Sequence, residues 1–291
     1  MDAIGVDVGG SNLRVARVGE DGRIRAALGA TTHGDPHDAM ARIIALSRDL
    51  DGPEVAGIGI GIPGRVDAAA RRVLSGGFLD LSRVELASSV EDALAKPVRL
   101  DTDANLALLA EWRHGAARGA DNVVMLTIGT GIGGAALLGG RLLRGRQSAG
   151  QFGHLTVDHA GLACACGRRG CVETTSSGTA LGRLIHEAGL PGDTRAEGLL
   201  AAARADDGVA RDVIRRWALP LRAAIDSLVA ALDPERVVLG GGLGGAAARA
   251  LAFAPALSGW YQAPVVAAEL GDSAGVIGAA WVARRPESDL P

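Results

Sequence analysis

Short apolar runs alternate along the chain with longer stretches in which apolar residues recur at helical spacing. The short runs predict β-strands over residues 3–8, 13–18, 55–62, 98–101, 122–128, 133–138 and 236–239. The longer stretches predict α-helices over residues 36–50, 104–117, 209–232 and 274–283. We expect a kink at Pro220, because proline cannot donate a backbone hydrogen bond inside a helix. Strands that alternate with helices are typical of an α/β fold.

The two halves of the chain begin in the same way, with two predicted strands joined by a Gly-rich turn. The first turn follows residue 8 and the second follows residue 128. This repetition indicates a duplicated α/β core with a cleft between two lobes. We expect an N-terminal lobe over residues 1–106, a C-terminal lobe over 107–274, and a closing helix over 275–291 that returns to the N-terminal lobe.

Composition and charge exclude several classes of protein. The chain has 291 residues, 48% of them hydrophobic, and a formal net charge of −3, so we expect neither disorder nor electrostatic binding to nucleic acid. It contains no run of about 18 apolar residues, so no membrane-spanning helix is expected. The first residues lack the basic segment of a secretory signal, and three cysteines without such a signal indicate a reducing compartment. These features predict a cytoplasmic protein.

A compact cysteine cluster predicts a metal site. All three cysteines lie within eight residues, and a histidine precedes the first of them by ten residues. The four donor residues are His154, Cys164, Cys166 and Cys171. One imidazole and three thiolates complete a tetrahedral zinc site and leave no open position, so this zinc is expected to be structural. Two alternatives remain: three unrelated buried cysteines, or His159 in place of His154 as the fourth ligand.

Three Gly-rich loops follow predicted strands, and each is suited to one part of a nucleotide. Small residues let the backbone approach phosphate oxygens, and a carboxylate at the end of the first strand could orient a hydrated Mg²⁺. The residues predicted to bind the nucleotide and its metal are Asp7, Gly9, Gly10, Ser11, Asn12, Gly129, Thr130, Gly131, Gly133, Gly240, Gly241 and Gly242. Taken singly, each loop also fits a purely structural turn, and the chain has no P-loop motif.

A candidate catalytic carboxylate lies where a short predicted strand gives way to a helix, in the sequence Asp-Thr-Asp-Ala-Asn over residues 101–105. Phosphoryl transfer needs a base for a hydroxyl proton and donors that hold the acceptor. Asp103 suits the first role and Asn105 the second. The alternative is that Asp101 or Asp103 simply caps the helix, a frequent function of aspartate.

Together these motifs resemble the ROK family of bacterial sugar kinases and sugar-responsive repressors. The matching segments are residues 7–14, 103–105, 129–134, 153–154, the Cys-x-Cys-Gly-x-x-Gly-Cys segment, Glu173 and 240–242. The resemblance implies the two-lobed sugar kinase/Hsp70/actin (ribonuclease H-like) fold, with ATP and Mg²⁺ in the cleft and a homodimer or higher homo-oligomer as the assembly. The ribose or base of ATP would lie near the third Gly-rich loop.

The resemblance also implies roles for individual residues. Asp103 would be the base that deprotonates a sugar hydroxyl for attack on the γ-phosphate. Asn105, His154 and Glu173 would line the sugar pocket. His154 would have two functions, with one ring nitrogen on zinc and the other facing the sugar, so that the metal orients the imidazole.

Two positions depart from the pattern of family members that phosphorylate glucose. Thr102 stands where they typically have Asn, and Gln151 stands where they typically have Glu; both positions normally contact the sugar. Replacing Glu by Gln exchanges a group that only accepts hydrogen bonds for one that also donates them. Sites that hydrogen-bond substrate hydroxyls discriminate strongly. We therefore expect altered sugar specificity with the base retained, and glucose is not the expected preferred sugar.

The prediction is an ATP-dependent phosphorylation of a hexose-type sugar hydroxyl, with a sugar and a nucleotide as partners and neither nucleic acid nor membrane. A non-catalytic sugar sensor and an N-acetylhexosamine kinase are the alternatives, and polyphosphate is an alternative donor. A DNA-binding regulator of the same family is disfavoured, because only six residues precede Asp7 and a helix-turn-helix domain does not fit there.

Overall fold

A computed structural model describes residues 1–9, 12–76, 79–256 and 259–285. The chain forms two compact units. The first comprises Met1–Arg118, Arg144–Ser148 and the chain from Asp272 onward, and the second comprises Gly119–Leu143 and Ala149–Gly271. The lobe boundaries predicted above stay a prediction.

Strands and helices alternate along most of the described chain. The strands are β1 (Asp2–Val8), β2 (Asn12–Val18), β3 (Ile24–Thr31), β4 (Val55–Ile62), β5 (Arg65–Asp67), β6 (Arg72–Ser75), β7 (Val98–Thr102), β8 (Val123–Ile128), β9 (Ile132–Leu138), β10 (Arg141–Leu142), β11 (Arg236–Gly240) and β12 (Val265–Ala267). The helices are α1 (Pro36–Leu50), α2 (Leu86–Leu94), α3 (Asp103–His114), α4 (Glu173–Ser176), α5 (Gly178–Glu187), α6 (Ala196–Arg204), α7 (Gly208–Leu232), α8 (Gly244–Ala250) and α9 (Ala274–Ala283). No helix of the described residues is both long and apolar enough to cross a bilayer.

The sheet of the first unit has the strand order β3-β2-β1-β4-β7. β1 pairs antiparallel with β2 and parallel with β4, which in turn pairs parallel with β7. β4 is almost entirely buried, in keeping with its unbroken run of glycine and aliphatic residues. The parallel arrangement places the carboxyl ends of β1, β4 and β7 at one edge of the sheet, where Asp7 and Asp103 lie.

α9 lies unusually close to this sheet. A Cβ at Gly5 would lie 1.8 Å from the carbonyl oxygen of Val276, and a Cβ at Gly59 would lie 1.9 Å from that of Ala279. On the other side of α9, a Cβ at Gly278 would lie 1.8 Å from the carbonyl oxygen of Leu106 in α3. Glycine at these three positions lets helix and sheet backbones touch, and every residue of α9 is buried.

The second unit repeats the plan of the first. Its sheet has the order β10-β9-β8-β11-β12, with β8 antiparallel to β9 and parallel to β11. The core includes the long helix α7, whose Trp217 is fully buried and donates its indole N–H to the carbonyl oxygen of Ser177 at 3.0 Å. Both units therefore begin with two antiparallel strands that flank a short Gly-rich segment of the sequence, as predicted.

Most predicted elements are present with small changes at their ends. The predicted helices over 36–50 and 274–283 have the same bounds as α1 and α9. α3 ends at His114, earlier than predicted, because Gly115 interrupts the helix. Pro220 lies within the continuous helix α7. The strand β3 was not predicted, because it is an edge strand whose residues are nearly all exposed and show no alternation.

Candidate active site

Asp103 is the first residue of α3 and follows directly on β7. Its Oδ1 accepts a hydrogen bond of 2.8 Å from the backbone N–H of Ala104. The N-cap of α3 is Thr102, whose hydroxyl accepts from the backbone N–H of Asn105 at 3.3 Å. The alternative role considered for Asp101 or Asp103 was to cap this helix. Thr102, which lies between them, supplies the cap instead. Asp103 keeps Oδ2 for other contacts.

The environment of Asp103 suits a base that works near neutral pH. Loss of hydration raises the pKa of Asp103 from 3.8 to about 7, with a further contribution from the negative charge of Asp7, although the hydrogen bond from Ala104 acts in the opposite direction. A general base is most effective when its pKa lies near the working pH. Strongly shifted carboxyl groups of this kind occur preferentially at functional sites.

Asp7 is the penultimate residue of β1 and has two charged neighbours. Burial raises the pKa of Asp7; Arg14, whose Nη1 lies 3.7 Å from Oδ2, lowers it, and Asp272 raises it. Arg14 also pairs with Asp272 at 3.2 Å. A Cβ on Gly275 would lie 2.7 Å from Cγ of Asp7, so the glycine makes room for the carboxylate. The carboxylates of Asp7 and Asp272 interact electrostatically, and such a pair is a suitable environment for a divalent cation.

Asp101 is buried next to the start of α3, and its two carboxylate oxygens bind three neighbouring groups. Its Oδ1 accepts hydrogen bonds from the backbone N–H of Thr102 and from Nδ2 of Asn105, each at 2.8 Å. Its Oδ2 lies 2.8 Å from Nη2 of Arg144. Of the residues predicted to contact the sugar, the structure thus brings Thr102 and Asn105 together around one carboxylate.

The first Gly-rich turn is closed by a hydrogen bond of 2.8 Å from the N–H of Gly9 to the carbonyl oxygen of Asn12. The predicted ligands Gly10 and Ser11 lie outside the described residues. In the third loop, Gly241 has a φ of +75°, and a Cβ there would lie 2.6 Å from the carbonyl oxygen of Ile128. Glycine is therefore required at this position. Gly240 ends β11, and Gly242 follows in the turn before α8.

The second Gly-rich turn is fixed by hydrogen bonds to residues at the starts of α4 and α5. The carbonyl oxygen of Gly129 accepts from the N–H of Gly178 at 2.7 Å, and that of Thr130 accepts from the hydroxyl of Thr179 at 2.9 Å. A Cβ at Gly129 would meet no atom within 4 Å, so one side of the turn is open. Gly133 lies in β9, opposite Thr127 of β8. The turn thus combines fixed carbonyl groups with space for a ligand.

The four predicted zinc ligands converge in space. One donor atom from each lies within 4.8 Å of every other, and the set consists of His154, Cys164, Cys166 and Cys171. Nδ1 of His154 lies 3.6 Å from Sγ of Cys164, and the Sγ atoms of Cys166 and Cys171 are 3.6 Å apart. Zinc bonds of about 2.3 Å in a tetrahedron give ligand separations of about 3.7 Å. The donor set therefore fits zinc, and the alternative ligand His159 is exposed and is not one of the four.

The loop that carries these thiols has a backbone only glycine can supply. Gly170 has a φ of +65°, and a Cβ there would lie 1.5 Å from the carbonyl oxygen of Asp158. Burial and the neighbouring thiols raise the pKa of Cys171 to about 12. Such a thiol ionises at neutral pH only beside a cation, as expected of a metal ligand. His154 ends the short helical turn Phe152–His154, which Gln151 precedes.

Comparison with known proteins decides the family. The sequence profile of the ROK family matches residues 3–286. The chain belongs to the ROK family. It is 35% identical to a glucokinase of Thermotoga maritima, with 97% of each chain covered, and 33% identical to an N-acetylmannosamine kinase of Yersinia pestis, with 97% of this chain and 98% of the relative covered.

Solved structures agree with this assignment. A ROK family glucokinase of Streptomyces griseus, in complex with glucose and AMPPNP, is 33% identical to this chain, with a TM-score of 0.86 and with 98% of this chain and 100% of the other covered. The ROK membership and the sugar kinase/Hsp70/actin fold class predicted from the sequence are therefore confirmed.

Three groups near the predicted ROK site residues were missed by sequence reasoning. They are Arg144, which pairs with Asp101, and Asp272 and Gly275, which surround Asp7. None belongs to a motif, and each lies far along the chain from the carboxylate whose environment it shapes. No local pattern of residues could have assigned them.

Proposed function

We propose that this ROK family protein transfers the γ-phosphoryl group of ATP to a hydroxyl of a hexose-type sugar. The observation that carries the proposal is Asp103, a carboxylate at the carboxyl end of β7 whose pKa is raised to about 7. The relatives that match along nearly their whole length include proteins named glucokinase and N-acetylmannosamine kinase. Both names describe phosphorylation of a sugar, which is the reaction that this carboxylate suits.

Asp103 supplies the base of the proposed reaction. Its free Oδ2 accepts the proton of the sugar hydroxyl while the hydroxyl oxygen attacks the γ-phosphorus and the bond to the ADP oxygen breaks. Asp103 leaves this step protonated and returns the proton to solvent after product release. Its raised pKa makes it a stronger proton acceptor than an ordinary carboxylate.

Sugar recognition is proposed for residues that match the family pattern, either beside Asp103 in the sequence or in the segment around the zinc ligands. The proposed sugar contacts are Thr102, Asn105, Gln151, His154 and Glu173. His154 directs Nδ1 toward the thiols, which leaves Nε2 for a sugar hydroxyl. A structural zinc would hold the imidazole in that orientation. The departures at Thr102 and Gln151 support a sugar preference that differs from that of the glucose-specific relatives.

The nucleotide is proposed to bind at the three Gly-rich loops. The open side of the turn at Gly129 and the backbone N–H groups that follow it would accept the phosphates, and Gly241 would let the backbone approach the ribose or base. Asp7 would hold Mg²⁺, directly or through water. Mg²⁺ neutralises charge on the transferring phosphoryl group when it is bound. The predicted homodimer and cytoplasmic location stay predictions.

A coupled assay of ADP release tests the proposal. The substrates are a panel of hexoses, N-acetylhexosamines and amino sugars, including glucose and N-acetylmannosamine. We expect sugar-dependent ADP release in the wild type and a loss of several orders of magnitude in Asp103→Asn. Asp212→Asn, an exposed aspartate of α7, is the matched control. Sugar binding by calorimetry without any turnover would refute the kinase and favour a sensor. Full turnover in Asp103→Asn would move the base elsewhere.

A further inference from the structure

Arg144 faces a buried carboxylate that has no part in the proton transfer. The side chain of Asp101 is 5% exposed, and its Oδ2 lies 2.8 Å from Nη2 of Arg144. Arg144 opens the segment Arg144–Ser148, which belongs to the first unit although the chain on both sides of it belongs to the second. A buried carboxylate that loses its cation is strongly penalised, since neither water nor another charge compensates it. The pairing therefore constrains the position of the Asp101 carboxylate.

The other oxygen of Asp101 determines how the amide of Asn105 is turned. Oδ1 accepts from Nδ2 of Asn105 at 2.8 Å. An ionised carboxylate can only accept hydrogen bonds, so the amide nitrogen must face Asp101 and the amide oxygen must point away from it. Asn105 is itself buried, so bulk water does not readily replace this partner. The orientation of the amide thus follows from the position of one carboxylate.

We propose that Arg144 is a positioning residue for sugar binding. Arg144 holds Oδ2 of Asp101, Asp101 holds the amide nitrogen of Asn105, and Asn105 presents its carbonyl oxygen and its second N–H to sugar hydroxyls. The inference rests on the proposed function, because Asn105 is a sugar contact only within it. Arg144 itself touches neither the sugar nor the reacting phosphate in this arrangement. Sugar affinity depends on it, whereas the proton transfer at Asp103 does not.

Replacing Arg144 by lysine tests whether the geometry of the guanidinium matters in addition to its charge. The planar guanidinium offers several donors in a fixed geometry, whereas the ammonium group of lysine is a point charge on a flexible stem. Arg144→Lys keeps the charge that compensates Asp101 but holds its carboxylate less firmly. Arg144→Gln removes the charge as well. The two variants therefore form a graded series. Because Arg144→Lys keeps the positive charge, we expect it to fold even if Arg144→Gln does not.

Steady-state kinetics of Arg144→Gln and Arg144→Lys test the inference, with the best sugar of the panel and with MgATP. We expect Arg144→Gln to raise the KM for the sugar about tenfold or more, while kcat and the KM for MgATP change by less than about threefold. Arg144→Lys should give a smaller rise in the same constant. Arg146→Gln, an exposed arginine two positions away, is the matched control and should leave all constants unchanged. Thermal melting establishes that each variant is folded.

A double variant separates action through Asp101 from a general loss of structure. If Arg144 acts through Asp101, Asp101→Asn combined with Arg144→Gln binds the sugar no more weakly than Asp101→Asn alone. Additive effects would overturn the inference, as would an unchanged sugar KM in folded Arg144→Gln or Arg144→Lys. If the wild type is active and the effects are additive or the sugar KM is unchanged, only the role of Arg144 is refuted and the proposed function stands. A wild type that neither binds nor phosphorylates any sugar refutes the proposed function and this inference together.

Discussion

Glu173 accepts a hydrogen bond from the backbone N–H of Ile132, with 2.9 Å between Oε2 and the nitrogen. Glu173 begins α4, and Ile132 begins β9 directly after the second Gly-rich turn. A Cβ at Gly131 would lie 2.5 Å from the same carboxylate oxygen, so the turn and the carboxylate are in direct contact. A residue proposed to bind the sugar therefore also holds the turn proposed to bind the phosphates.

We expect Glu173→Gln to raise the KM for both substrates about tenfold, which corresponds to about 1.4 kcal/mol. The reason is that a charged acceptor forms a stronger hydrogen bond than a neutral amide, and this one serves both substrates. Steady-state kinetics with each substrate varied in turn measures the two constants. Glu197→Gln, an exposed glutamate of α6, is the control. A rise for the sugar alone would show that the bond to Ile132 does not shape the phosphate-binding turn.

The pKa of Asp103 predicts how activity depends on pH. Burial and the charge of Asp7 raise this pKa to about 7, so below that pH the carboxyl group is protonated and cannot accept a proton. We expect kcat/KM for the sugar to rise about tenfold per pH unit below about pH 7 and to level off above it. Initial rates between about pH 5.5 and 9 measure the profile. A profile that is flat down to about pH 5.5 would show that Asp103 is not the titrating base.

Loss of zinc should weaken sugar binding more than it slows catalysis. Cys166→Ser removes one of the four donors and thereby frees the imidazole of His154. We expect less than one zinc per chain by elemental analysis and a sugar KM raised about tenfold, because the proposed Nε2 contact loses its orientation. Treating the wild type with a chelator should have the same effect, and added Zn²⁺ should restore the original KM. Metal-free protein with unchanged kinetics would contradict the proposed role of zinc.

The close packing of α9 predicts a strong effect of single methyl groups. We expect Gly59→Ala to destabilise the protein by about 3 kcal/mol or more, because the new Cβ would overlap the carbonyl oxygen of Ala279. Gly182→Ala in α5 is the matched control: no atom lies within 4 Å of its Cβ position, so alanine should stabilise the helix by about 0.5–1 kcal/mol. Urea unfolding followed by circular dichroism measures both. Equal stability of Gly59→Ala and wild type would show that α9 moves easily.

The zinc donors and most secondary structure could be predicted because their signals are local. The cysteines lie within eight residues, and the β-hairpins and helices show their periodicity over a single segment. β3 was not predicted because an exposed edge strand has no apolar face and therefore no alternation of apolar and polar residues in the sequence. The N-cap of α3 was assigned to aspartate as an alternative, whereas Thr102 supplies it, since spacing alone does not decide which of several capping residues points toward the helix.

The sequence by itself determined the family, the fold class, the order of the main elements and the residue types available for the proposed chemistry. Only the tertiary structure decided that Arg144 pairs with Asp101, that Asp272 and Gly275 surround Asp7, and that Asp103 has a pKa of about 7. The physical reason is that burial and electrostatic interaction depend on distances in space. Residues far apart in the chain acquire those distances only when helices and sheets pack together.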